Sequence, residues 1–408
     1  MNFIAKPPGY GALLALPVPR RLALASVPAD FADWLDYAAI IALLVFAWGE
    51  GPFVLALFAF CLTLPYVIIG PMLAVVVDRA PLARILVLSN LGRGLATLAL
   101  MFAPDTAIVL AIVFVRASID SAFTPARQAA IQTSTPPELL SSANGLHQAI
   151  NQTSKIAGPA LGGLLLAVMP AQGVFGLNAV LSLVAAALVF GIALPTKPPS
   201  EAADFRTELL AGAAEFGRSR LLLTALVFSA VAFFAVFLYD ALIALLAEDF
   251  GLGATAFGFG IAASGGGGLI GALVAGRIAA SHPVVSMVAS AVISGVVTIL
   301  VALAAIQGYD LPAIPYFLIL ALMGGTFAFM LVPYRTIVQT ETPPDRIARV
   351  FAAGEAVITA VMLSAPFIGS AIAATHGTGA AFLCGGILLT TLGLAGGLML
   401  ALRGGKVS

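Results

Sequence analysis

The sequence predicts an all-α polytopic membrane protein of twelve transmembrane helices, arranged as two parallel six-helix pseudo-repeats. Three observations predict it. Of 408 residues, 61% are hydrophobic and 9% charged, where a soluble chain carries about 25% charged residues. Apolar runs of about 20 residues or more, enough to cross a bilayer as a helix, recur along nearly the whole length. A long stretch of the first half also returns in the second. The runs are continuous rather than alternating, which argues against a membrane β-barrel.

Breaks in the apolar runs place the first six helices at 21–48, 52–77, 85–103, 106–124, 143–169 and 172–194. The second six fall at 219–247, 254–280, 284–306, 312–334, 347–373 and 379–402. Turn chemistry marks the breaks, as in Gly49-Glu50-Gly51-Pro52, Ala103-Pro104-Asp105, Met169-Pro170 and Gly308-Tyr309-Asp310. Residues 195–218 form the longest polar stretch. Its proline-rich start reads as a cytoplasmic linker and its second half as a short interfacial helix. The expected organisation is a six-helix bundle over 1–194, the linker over 195–218, and a second six-helix bundle over 219–408. No compact hydrophobic segment with a cleavage site follows Lys6, so no removable signal peptide is expected.

Lysine and arginine orient the chain. With the N-terminus in the cytoplasm, 16 of the 19 basic residues fall on the cytoplasmic side. The other three, Arg93, Arg116 and Lys155, fall inside helices, and the outer loops hold Glu50, Asp105, Glu248, Asp249 and Asp310. Both termini are then cytoplasmic, and the expected location is the inner (plasma) membrane. The net charge of zero offers no footprint for nucleic acid. Cys61 and Cys384 lie far apart in apolar runs and read as packing residues.

The repeat is specific. Pro125 and Arg127 match Pro333 and Arg335; after a one-residue gap, Gln132-Thr133 matches Gln339-Thr340, and Thr135-Pro136-Pro137-Glu138 matches Thr342-Pro343-Pro344-Asp345. Pro159 and Gly162 then match Pro366 and Gly369. Each copy reads as a helix end, a basic cytoplasmic loop and a helix with Pro-x-x-Gly. An earlier pair, Asp36 and Asp240, keeps the same order. Repeats in the same order are parallel and are related by an axis along the membrane normal.

Three local motifs follow. The first is Gly70-Pro71 through Asp78-Arg79, with Arg84 beyond. The second is Arg116 within the fourth span, and the third is Gly158-Pro159-Ala160-Leu161-Gly162-Gly163. Together with the twelve spans, these resemble the major facilitator superfamily. Leu64-Pro65, Asp78-Arg79, Pro125-Ala126-Arg127, Ala143-Asn144 and Gly158-Pro159 are similar to an exporter branch that includes enterobactin-exporter-like and macrolide-efflux-like proteins. The resemblance implies a drug:proton antiporter. It also implies a cytoplasmic gating loop carrying Gly70, Asp78, Arg79 and Arg84, and an antiporter motif of Gly158, Pro159, Gly162 and Gly163. Where relatives have Gly-Asp-Trp, this chain has Ala32-Asp33-Trp34, which singles out Asp33.

Physical reasoning gives the motifs matching roles. A charge cluster at the inner face can latch one conformation and release it in another. Gly-Pro-x-x-Gly-Gly bends a helix and lets a neighbour approach closely. The glycine run Ser264–Gly268 reads either as a close-packing site or as a flexing site. Charges inside the spans are costly and should face a cavity or a partner. Asp30, Asp33 and Asp36 lie within one face of the first span. Asp30 ranks below the other two, since a helix starting late would make it a cap. Arg116 and Asp120 share a face at i, i+4. Arg93 reads as snorkelling to the inner surface. Gln148, Asn151, Gln152 and Lys155 form a polar stripe, and Glu355 lies with Arg349 near.

The reading is a secondary active transporter that exchanges protons for a small amphipathic solute, drug-like or siderophore-like, by alternating access. Proton-coupling candidates are Asp33, Asp36, Asp120 and Asp240. Cavity candidates are Trp34, Tyr37, Arg116, Gln148, Asn151, Gln152, Lys155, Phe233, Phe237, Tyr239 and Glu355. The expected partners are the small-molecule substrate, protons and the lipid bilayer, with the monomer as functional unit. The chain shows no catalytic constellation, nucleotide-binding loop, metal site or cofactor motif. The alternatives are a proton-coupled importer of a small metabolite and, more remotely, a non-transporting receptor or assembly factor.

Overall fold

In the computed structural model, the described residues are 10–194, 205–278, 282–343 and 346–404. They are helical nearly throughout, as hydrocarbon requires of a spanning backbone that must bond to itself. Short α1 (Tyr10–Ala15) precedes α2 (Pro17–Ala42), which ends in a π-helical turn at Leu43–Ala47. Then come α3 (Pro52–Arg79), α4 (Leu82–Leu100), α5 (Thr106–Ser134), α6 (Leu140–Leu166) and α7 (Ala171–Val189). The second series is α8 (Phe205–Phe216), α9 (Arg220–Phe237), α10 (Ile243–Asp249), α11 (Ala254–Ile278) and α12 (Pro283–Ile306), then α13 (Ala313–Glu341), α14 (Ile347–His376) and α15 (Thr378–Gly404). A 3-10 turn at Asp240–Leu242 joins α9 to α10.

Among the described residues, ten helices are long and apolar enough to cross a membrane. The helices α2 and α6 have the length but are not among the ten. They carry Asp30, Asp33, Asp36 and Lys155. Large apolar side chains such as Leu88, Leu318 and Leu300 lie exposed on the helices. That outward face is suited to hydrocarbon.

Two helices run further than their sequence boundaries. The first repeat copy was expected to leave its helix near residue 124, but α5 continues through Pro125 to Ser134 and carries Arg127 with it. Likewise α13 continues through Pro333 to Glu341 and carries Arg335. Neither arginine is a loop residue. Proline costs one backbone bond, but a long membrane helix whose neighbours resatisfy the freed group can absorb it.

The chain forms two compact units, one of Met1–Leu43 with Cys61–Ser200 and the other of Leu44–Phe60 with Glu201–Ser408. In the first, α2 packs on α6 and α7, and α4 packs on α5 and α7. In the second, the tightest pairs are α11 with α13 and α12 with α15. The first turns of α3 belong to this second unit: Ser370 donates to the Pro52 carbonyl at 2.8 Å, and Phe60 meets Phe367 at 5.5 Å.

Residues 195–204 of the linker lie outside the described residues. Its second half is the helix α8, docked onto α14. Phe216 is buried with Tyr334 and Ala353, and Arg346 reaches Glu215 at 2.8 Å.

The glycine run of α11 is a packing seam. A Cβ on Gly267 would strike the backbone of Ala321, and one on Gly271 would stand 2.5 Å from the Gly325 carbonyl oxygen. Gly266, one residue earlier, faces open space. Gly267→Ala should therefore sharply lower the yield of folded, monodisperse protein, while Gly266→Ala leaves thermal unfolding nearly unchanged or slightly raised. Size-exclusion profiles and melting curves of the two adjacent variants check this.

Candidate functional site

The polar core of the first unit is a ladder between α2, α4 and α5. Three-residue steps carry Asp30, Asp33 and Asp36 up one side of α2. On α5, Arg116, Asp120 and Arg127 are separated by four and seven residues and so share a face as well. Arg127 Nη1 contacts Asp30 at 2.5 Å, Arg116 Nη2 contacts Asp33 at 2.7 Å, and Arg116 Nε lies 3.3 Å from Asp36. The order is antiparallel: Asp30 meets the later arginine and Asp36 the earlier one.

Arg93 of α4 completes the cluster. It pairs with Asp33, and its Nε lies 2.8 Å from Asp120. It also donates to the Ala29 carbonyl at 3.1 Å. Its guanidinium sits 4.8 Å over the Phe123 ring, with Arg127 over the same ring at 5.2 Å. The snorkelling expected of Arg93 does not occur, for its side chain is only 1% exposed. Two carboxylates inside the protein hold it more strongly than a reach for the surface would. Arg116 and Asp120 likewise do not form an isolated pair; each is engaged by other helices.

The members differ in access. Asp36 is fully buried and accepts from Thr97 Oγ1 at 2.7 Å, while Asp33 keeps 35% of its side chain exposed. Asp30 is buried mid-helix and is not a cap. Asn178 of α7 donates to the Ala32 carbonyl at 2.8 Å, which fixes the backbone between Asp30 and Asp33. Several atoms stay unsatisfied: Asp30 Oδ2 and Asp36 Oδ1 are buried without a hydrogen-bond partner. Arg93 Nε faces Asp120 at contact distance but off the hydrogen-bond axis. Four carboxylates thus share three guanidiniums.

The antiporter-like motif sets α6 against this ladder. A Cβ on Gly158 would come within 2.5 Å of Trp34 Cβ, and one on Gly162 within 3.1 Å of Ala38 Cβ. Pro159 lies inside α6, and Gly163 is buried. Lys155 Nζ sits 5.3 Å from the Trp34 ring, and Trp34 meets Tyr37 edge to face at 5.9 Å. Gln148, Asn151 and Gln152 are exposed or half-buried along the same stripe of α6. Buried His147, behind them, bonds Ser26 at 2.9 Å.

Other candidates fall elsewhere. In the gating motif Gly70 faces Ser121 of α5, where a Cβ would lie 3.7 Å away, and Arg84 is exposed. The side chains of Asp78 and Arg79 lie outside the described residues. In the second unit Glu355 is half exposed, with Arg335 3.9 Å away. Phe233 is buried behind Phe237 and Phe327. Phe237, Tyr239 and Asp240 line a cavity of about 160 Å³.

The profile of the Major Facilitator Superfamily matches residues 22–352. The chain belongs to this superfamily. As a superfamily member it is a multi-pass membrane transporter. It is 27% identical over 369 residues to the uncharacterized MFS-type transporter YfiS of Bacillus subtilis, covering 89% of this chain and 88% of that one. It is 26% identical over 196 residues to macrolide efflux protein A of Enterococcus faecalis, 46% of this chain and 60% of the relative. Among solved structures, the nucleoside transporter NupG superposes with a TM-score of 0.69 at 13% identity, over 94% of this chain and 99% of NupG. A bacterial homologue of the human lysosomal transporter Spinster superposes with a TM-score of 0.66 at 14% identity, covering 94% of each chain. At such identities the structures speak for the fold alone.

Sequence reasoning missed Arg93 and Arg127 as cluster members, and Thr97 and Asn178 altogether. The signal for Arg127 was its eleven-residue spacing from Arg116, which returns to the same helix face. The ladder makes a direct prediction. Arg127→Met should cost about 3–5 kcal/mol by leaving the buried Asp30 charge uncompensated, and adding Asp30→Leu should recover most of that loss. Unfolding midpoints of the single and double variants check the coupling.

Proposed function

We propose that this superfamily member is a proton-coupled exporter of a small amphipathic solute, working by alternating access in the inner (plasma) membrane as a monomer with both termini cytoplasmic. One observation carries the coupling: Asp33 is the most exposed carboxylate of the ladder, and Arg93 and Arg116 both bind it. With all members ionised, the four carboxylates and three guanidiniums leave one negative charge, so one proton makes the cluster neutral. A proton on Asp33 weakens its hold on both arginines at once. Arg93 then turns to Asp120 and Arg116 to Asp36, and the contacts between α2, α4 and α5 are redistributed. An ionic cluster with two such arrangements is a bistable element that a proton can bias.

Asp33 is the proton carrier in this reading. Asp36 and Asp120 are the reserve acceptors for the arginines, and Asp30–Arg127 is the fixed rung. Trp34, Tyr37 and the stripe from Gln148 to Lys155 supply the solute-facing wall beside it. The contact of Gly158 and Gly162 with α2 lets movement of α6 be felt at Asp33. Export rather than import is supported by the Gly-Pro-x-x-Gly-Gly motif and by the 26% identity to macrolide efflux protein A. A flux measurement decides the direction.

The test is transport of ethidium in proteoliposomes under an imposed pH gradient. Wild type should move the dye against its gradient when protons flow the other way. Asp33→Asn should lower gradient-driven flux at least tenfold while downhill exchange continues. Asp36→Asn should lower it less. Unchanged gradient-driven flux in both variants would remove the carboxylate assignment, and wild-type flux indifferent to the gradient would remove proton coupling.

A further inference from the structure

Asp240 differs from every acid of the ladder. It lies in the 3-10 turn after α9, half-buried, with no ion pair to any described cation. A carboxylate set in a membrane helix bundle without a counter-charge is costly, and a cation from outside the chain would offset that cost. It lines the cavity of about 160 Å³ together with Phe237, Tyr239, Ser264, Ser294 and Phe327.

We infer that this cavity is a binding site for an organic ammonium group, with Asp240 as the counter-charge and Phe237 and Phe327 as the aromatic faces. The inference rests on the transporter reading above and names the charge of the solute. Three features select the chemistry. The aromatic faces are held in place: Phe233 stacks on Phe237 at 6.1 Å and meets Phe327 edge to face at 4.9 Å. Aromatic rings set beside a carboxylate favour a large, weakly hydrated cation. Tyr239 makes a fixed wall, stacked on Phe382 at 4.6 Å and with its hydroxyl 3.4 Å from Thr298 Oγ1. The volume equals about five waters, which suits an alkylated ammonium head, with the remainder of the solute outside. A hard metal ion would demand a denser set of oxygens, and no group of three metal-ligating His, Cys, Asp or Glu side chains occurs among the described residues.

In the family repeat, Asp240 occupies the place that Asp36 holds in the first half. The two carboxylates have diverged: Asp36 is consumed by Arg116 and Thr97, whereas Asp240 has kept an open cavity. One half thus carries an acid paired within the protein, and the other an acid that awaits a cationic guest.

The test is equilibrium binding of tritiated benzyltrimethylammonium to the full chain in nanodiscs, with no proton gradient present. Failure of proton coupling therefore leaves the outcome untouched. Neopentylbenzene, the neutral carbon isostere, serves as competitor. The expected result is saturable binding that unlabelled benzyltrimethylammonium displaces and neopentylbenzene does not. Asp240→Asn should weaken it at least tenfold, and Phe327→Leu, which keeps the carboxylate, about threefold. Equal displacement by the neutral isostere on wild-type protein would overturn the inference without any variant. So would unchanged binding in Asp240→Asn, or displacement by millimolar sodium at constant ionic strength.

Discussion

The first unit depends on keeping charge inside a bilayer. Seven ionisable side chains from three helices lie where a charge on any one alone would cost at least about 2.5–3.5 kcal/mol. They are tolerable only together. Asp30 is meaningful because Arg127 reaches it, and Arg127 reaches it because α5 does not stop at Pro125. The same requirement explains Asn178, which anchors the backbone of α2, and Phe123, whose ring covers two guanidiniums. Apolar packing fills the space around the ladder; the ladder fixes the register of α2, α4 and α5.

The second unit solves a different problem. Its ties are mainly steric, through seams where α11 meets α13 with main chain nearly touching main chain. Without a hydrophobic force between helices in lipid, close backbone approach is what association rests on. The contrast matters for motion. Ionic contacts can exchange partners at small cost, whereas a glycine seam either fits or does not. In the proposed mechanism, the rearrangement triggered by protonation therefore belongs to the ladder.

Much of this was legible in the sequence. Continuous apolar runs placed most helices to within a few residues, because the length of a span is set by the bilayer; α5 and α13 outran their expected ends, and the expected helix 219–247 is broken by a 3-10 turn. Asp33 and Asp36 stood out because acids are rare in such runs. What escaped was pairing. Arg127 sits beside Pro125 in a basic stretch, and local chemistry read it as loop. Arg93 has the depth at which snorkelling is feasible, and only the positions of Asp33 and Asp120 on other helices decide against it. Thr97 and Asn178 carry no pattern at all; a single polar residue in an apolar helix does not reveal which neighbour it addresses. Charge within one helix can be read from spacing, but charge between helices needs the packing.

The docking of α8 bears on how far the two units can travel. With Phe216 buried and Glu215 tied to Arg346, the helix moves with the second unit. The connector between α7 and α9 is thereby shortened at its far end, from Arg220 back to Phe205. Fully extended, residues 190–204 reach roughly 50 Å, where a connector running to Arg220 would reach roughly 100 Å. Any stroke that carries the end of α7 away from the start of α8 must stay inside that shorter radius. A segment that reads in the sequence as a linker with a short interfacial helix thus acts as a clamp on the tether.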